Sequence, residues 1–209
     1  MVAAPIDHEA EEGVAQEERA RADLYALLAT LFYSPPAEEL LRNIGAAELV
    51  EDSNCSRFAE SWRGLQSAAR SGRPEAIRDE YDNAFITAGR PPVFLYGSFY
   101  QAGFLMDKPL ARLRQDLARL GLARRPQVGE PEDHISALCD VMRFLIVGGD
   151  TMPPASLEAQ RDFFVAHIAP WYERLCHSIE TAEQTDFYRR VAALARAFFD
   201  LETESFEIA

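Results

Sequence analysis

From Glu17 to the C-terminus the apolar residues return every three or four positions, and no stretch of useful length alternates in twos. A chain patterned this way buries the stripes of helices rather than the faces of strands, which confines it to an all-α fold. The first stripe is Leu24, Leu27, Leu28, Leu31 and Phe32. Ser34-Pro35-Pro36 closes it, because a residue before proline disfavours the helical region. Ala37 to Ile44 predicts a short helix. Phe58, Trp62 and Leu65 predict another, ending at Ser71-Gly72, and Pro74 opens a helix carrying Ile77, Tyr81 and Phe85. Leu110, Leu113, Leu117 and Leu120 mark the next, with Gly121 as its stop. Ile135, Leu138, Met142, Leu145 and Ile146 line a helix expected to open at Glu130-Pro131-Glu132-Asp133. A single long helix is expected over 156–179, holding Phe163, Phe164, Ile168, Trp171 and Leu175. A last one carries Phe187, Val191, Leu194, Phe198 and Leu201. The pattern predicts a compact bundle of roughly eight to ten helices.

The polar stretch 122–129, with Arg124, Arg125, Pro126 and Gly129, reads as a hinge joining two lobes, residues 16–121 and 130–202, of one domain spanning 16–209. Residues 1–15 read as a disordered acidic tail. The chain carries a net charge of −13, which disfavours nucleic acid and favours a cationic peptide. Cys55, Cys139 and Cys176 are odd in number and widely spaced, which fits reduced thiols in a cytoplasmic protein rather than a disulfide framework. The N-terminus has no apolar core behind a basic start, and no apolar run approaches the ~18 residues of a membrane span.

One segment escapes the helical pattern. Ala88 to Ser98 combines Gly89, Pro91, Pro92 and Gly97 with Val93, Phe94, Leu95 and Tyr96. A loop this oily must pack down or bind something. The aromatic set around it is Tyr81, Phe85, Phe94, Tyr96, Phe99 and Tyr100, with Ser98 among them; burial in a core is the ordinary fate of such rings. Glu130, Asp133 and His134 are read either as a capping cluster that fixes a helix start or as groups that hold a partner's donors or cations. The phosphate-binding and catalytic motifs GxxxxGK[ST], GxGxxG, HExxH and GxSxG are missing from the sequence. His167 and His177, placed on one helix ten residues apart, would point about 80° from each other, so no metal site is expected.

These residues resemble the TorD family of cytoplasmic chaperones for molybdenum-containing redox enzymes. The likeness rests on Tyr81-Asp82-Asn83-Ala84-Phe85, then Tyr96-Gly97-Ser98-Phe99-Tyr100, then Glu130-Pro131-Glu132-Asp133-His134, then Phe163, His167 and Trp171 at the family's spacing. It runs from about residue 18 to 202. Ala84 stands where the family has Leu, and Phe94-Leu95 replace its proline pair. The resemblance implies a chaperone, not an enzyme, that binds the twin-arginine signal peptide or apoenzyme of a molybdopterin oxidoreductase and delays export until the cofactor is inserted. It implies a peptide site at Tyr81, Phe85, Phe94, Tyr96, Ser98, Tyr100, Glu130, Pro131, Asp133 and His134. It implies no cofactor beyond weak GTP binding, and a monomer or a domain-swapped dimer. Two other readings stand beside it: a small acid-base enzyme using Glu130, Asp133 and His134, and a nucleotide-responsive protein.

Overall fold

A computed structural model describes residues 8–47, 56–87, 89–125, 127–149 and 152–208. Among them lie ten α-helices: α1 (His8–Tyr33), α2 (Glu38–Ala46), α3 (Ser56–Ser71), α4 (Pro74–Tyr81), α5 (Gly97–Ala102), α6 (Lys108–Arg119), α7 (Ile135–Val147), α8 (Leu157–His167), α9 (Tyr172–Thr181) and α10 (Phe187–Ile208). No strand occurs among the described residues. The first helix begins at His8, not Glu17, so the acidic stretch is helical from residue 8. Residues 1–7, Cys55 and Pro126 lie outside the described residues.

The stripe of α1 packs along α7, and α10 packs between α3 and α9. Tyr25, Leu28, Leu31 and Phe32 of α1 are wholly buried, as are Ile135, Cys139 and Met142 of α7. Leu24 and Leu27 sit at the edge of this contact, partly buried. Residues from both sides of 122–129 enter one continuous core. Arg21 and Tyr25 of α1 both bond the buried carboxylate of Glu202 on α10, at 2.7 and 2.9 Å, which satisfies a charge that burial alone would make costly.

Three elements differ from the sequence expectation, each for a local reason. The helix expected over 156–179 is two, α8 and α9. Pro170 has no N–H to donate and its ring crowds the preceding turn, so the chain bends and restarts after Trp171. Beyond α4 the chain continues as a π-helical turn, Asp82–Ile86, with i→i+5 bonding. The helix expected to open at Glu130 begins instead at Ile135, with extended His134 as its cap. Gly121 does end α6, at φ +71°.

Candidate functional site

The oily segment is held by backbone pairing. Ile135 N–H donates to Leu95 O, and Gly97 N–H donates to Asp133 O, both at 2.9 Å, so Tyr96 and His134 pair antiparallel. Over these few residues the chain is extended and its side chains alternate. Val93 and Leu95 face inward, 1% and 3% exposed, while Phe94 and Tyr96 stay half-buried. The run is apolar in sequence because one half of it is core and the other half lines a cleft.

Asp133 and His134 build this pairing from within. Asp133 is 4% exposed, and its Oδ2 accepts the Ser98 N–H at 2.8 Å. Ser98 is wholly buried, and its Oγ accepts the N–H of Met106 at 3.1 Å. That bond steadies Met106 in a left-handed conformation, φ 59°, unusual for a residue with a side chain. The Nδ1 of His134 accepts the Ser136 N–H at 3.1 Å, so the ring is neutral with its hydrogen on Nε2. Burial drives its pKa down to about 4, against the upward pull of Glu130 and Asp133. The expectation that the carboxylates of 130–133 occupy the first turn of the helix is thereby corrected: they precede it, and Asp133 points into the protein.

In front of this clamp lies a cavity of about 250 Å³. Tyr81, Phe85, Phe94, Tyr96, Glu130 and His134 line it, together with Tyr33, Ile86, Pro91, Leu95 and Gly129. Ser98, Tyr100, Pro131 and Asp133 do not. The Tyr96 hydroxyl donates to the Glu130 carboxylate. Burial, and then that bond, push the Tyr96 pKa upward, so the phenol remains a donor. The Tyr81 hydroxyl donates to Tyr33 O at 2.8 Å, pinning the end of α1 to the cleft. Tyr100 is stacked on Trp171, with centroids 5.5 Å apart, and belongs to the support. Phe94 packs on Phe99 at 4.2 Å, and the Arg90 guanidinium lies about 6 Å from both rings.

The sequence reading missed Tyr33 and Ile86, which are 53% and 59% exposed. Tyr33 had a visible signal, an aromatic at the end of α1 just past the buried stripe. Ile86 had none, since a regular helix would place it differently and the π-helical turn sets where it points. No cluster of three or more His, Cys, Asp or Glu suited to a metal occurs among the described residues. His167 lies on α8 and His177 on α9, and His167 Nε2 meets Asp116 at 2.9 Å. Glu130, Asp133 and His134 each engage a different partner, namely Tyr96, Ser98 and Ser136. No described helix is long and apolar enough to cross a membrane.

The family model for the nitrate reductase delta subunit matches residues 51–177. A chaperone protein TorD from Vibrio cholerae is 25% identical over 195 residues, covering 85% of this chain and 88% of its own. A protein named as a Tat proofreading chaperone, DmsD, from Haemophilus influenzae is 23% identical over 174 residues, covering 80% and 82%. Among solved structures, a redox enzyme maturation protein from Archaeoglobus fulgidus superposes with a TM-score of 0.56 at 20% identity, over 88% of this chain and 93% of that one. At that identity the likeness concerns the fold.

Proposed function

This chain belongs to the nitrate reductase delta subunit family, and we propose that its cleft holds the basic leader of a molybdenum oxidoreductase. The protein is a chaperone of molybdoenzyme maturation, like the TorD and DmsD proteins it resembles. Its client is the catalytic subunit before cofactor insertion, met in the cytoplasm. While the leader is in the cleft it is withheld from export.

One observation carries the reading: a half-buried carboxylate, Glu130, faces the same cavity as the exposed Tyr33 and Ile86 and the half-buried Phe94. A leader is basic at one end and apolar beyond it. Glu130 keeps acceptor capacity after taking the Tyr96 hydroxyl, and an arginine fork would fill it with charge-assisted bonds. The rings and Ile86 would cover the apolar residues that follow. Asp133, His134 and Ser98 act one step back, holding Tyr96 and the oily segment in register. The net charge of −13 steers a cationic segment inward.

Affinity capture from the native cell tests this, with the wild-type chain and with Glu130→Gln as bait. The wild type should retain a molybdoenzyme catalytic subunit still bearing its leader, and Glu130→Gln should retain far less. Equal recovery would remove Glu130 from the contact. Capture of no such subunit by the wild type would overturn the reading.

A further inference from the structure

Phe104, Leu105 and Met106 follow one another in the turn between α5 and α6, and they are 73%, 44% and 70% exposed. They stand outside the cleft. Contiguous apolar side chains in water mark an interaction surface. The fold also holds them there under strain. Gly103 ends α5 at φ 83°, and Met106 is kept at φ 59° by the bond from its N–H to the buried Ser98 Oγ. The charge around this tip opposes that of the chain as a whole. From Asn83 to Gly129 the sequence has seven Lys or Arg against two Asp or Glu, a net +5 in a chain of −13. Arg114 and Arg124 of this group face Glu132, and Arg119 faces Asp116. Lys108 and Arg112, exposed and one turn apart on α6, make no ion pair and no side-chain hydrogen bond among the described residues. Side chains on a helix lean toward its N-terminus, so both cations lean back toward the tip. Of the two acids, Asp107 is half-buried as the cap of α6, and Asp116 is engaged by Arg119 and His167.

We propose that this tip and the start of α6 dock on an anionic lipid surface. Phe104, Leu105 and Met106 enter the boundary between headgroups and acyl chains. Lys108 and Arg112 lay their apolar stems along it and hold their charges at the level of the lipid phosphates. A protruding apolar tip backed by cations fits a soft, flat surface, whereas a protein partner would need a pocket cut to it. The acidic remainder of the chain is repelled by the same surface. That repulsion fades within the Debye length, about 8 Å at physiological salt, so the molecule is oriented with its acidic faces outward. A short apolar tip and two cations are weak signals that act together, which makes the contact reversible. The inference does not depend on what fills the cleft.

The test is sedimentation of the full chain with vesicles at physiological salt, one set of phosphatidylcholine alone and one with phosphatidylglycerol mixed in. On net charge alone, a chain of −13 should avoid the anionic vesicles. The proposal predicts the opposite, with more protein carried down by the anionic set than by the neutral one. Phe104→Ser with Met106→Asn removes the apolar tip and keeps at 106 a residue that tolerates positive φ. Lys108→Gln with Arg112→Gln removes the cations. Each double variant should bind the anionic vesicles about tenfold more weakly, at unchanged helicity. Arg63→Gln with Arg78→Gln, on α3 and α4, makes the same change in net charge and should bind as the wild type does. The inference is overturned if the wild type prefers neither vesicle, as a tip made for an acidic protein would. It is also overturned if either the tip variant or the α6 variant binds as the wild type does, or if the α3–α4 control loses as much as the α6 variant.

Discussion

At the scale of single residues, Asp133 and His134, which the sequence offered either as caps or as contact groups, both bond within the protein, and His134 also lines the cleft. Asp133 is buried against Ser98, and His134 caps α7. Asp133→Ala leaves the buried Ser98 N–H without its acceptor and should cost about 1–3 kcal/mol. Asp133→Asn keeps an acceptor there and should cost less. Urea unfolding of the two variants separates them, and equal losses would mean the Ser98 bond contributes nothing. His134 adds a pH dependence. Its folded pKa is about 4 against an ordinary 6.5, so the unfolded chain takes up this proton first as pH falls. Stability is therefore full above pH 6.5, declines between 6.5 and about 4, and levels off below. The slope through this one group is at most about 1.4 kcal/mol per pH unit. His167, held low by burial against the pull of Asp116, acts in the same direction. His134→Asn retains a cap acceptor and removes one of the two titrations. Its urea midpoint should fall less steeply than the wild type's across that window, and parallel profiles would place the wild-type ring in water.

At the scale of elements, the sequence was legible wherever periodicity and turn chemistry agreed. The stripe of α7, the stop at Gly121 and the proline start of α4 stand where spacing puts them. It misled where an unbroken apolar stripe outweighed a local proline, and it was illegible where contacts far along the chain decide the local structure. The period of α8 runs on through Pro170 into α9, so the apolar stripe concealed the break. The start of α7 depends on backbone pairing with Leu95 and Gly97, some 38 residues upstream, which no local pattern reports. The first turn of α10 is similar, because Glu80 of α4 accepts the N–H groups of Asp186, Phe187 and Tyr188. Glu80→Ala uncaps that helix and should cost about 1–2 kcal/mol, read as a lowered urea midpoint; an unchanged midpoint would mean water replaces the cap. Gly97 opens α5 against Trp171, and a Cβ there would lie 3.0 Å from the indole nitrogen. Gly97→Ala should force α5 off the α8–α9 joint, costing about 1–3 kcal/mol and altering near-ultraviolet circular dichroism. An unaltered spectrum would show that the indole can yield.

At the scale of the whole molecule, one core joins the two stretches that the sequence divided at 122–129, and the cleft lies where they meet. Tyr33 comes from the end of α1, Phe85 and Ile86 from the π-helical turn, Tyr96 from the extended segment, and Glu130 from the turn before α7. The sequence named six of the residues lining the cleft, because aromatics in a Pro/Gly-bounded stretch and acids beside a helix start are local signals. It could not rank them, because whether a carboxylate faces solvent or the interior is a property of the assembled fold. The central claim is that Glu130 within this cleft grips a basic leader. The most direct check is isothermal titration of an Arg-Arg-Ala-Phe-Leu peptide into the folded wild type and into Glu130→Gln at low and high salt. The account predicts measurable binding that weakens with salt, and an affinity lower by at least about tenfold in the variant at low salt. Equal affinities in the two proteins, at unchanged helicity, would contradict it.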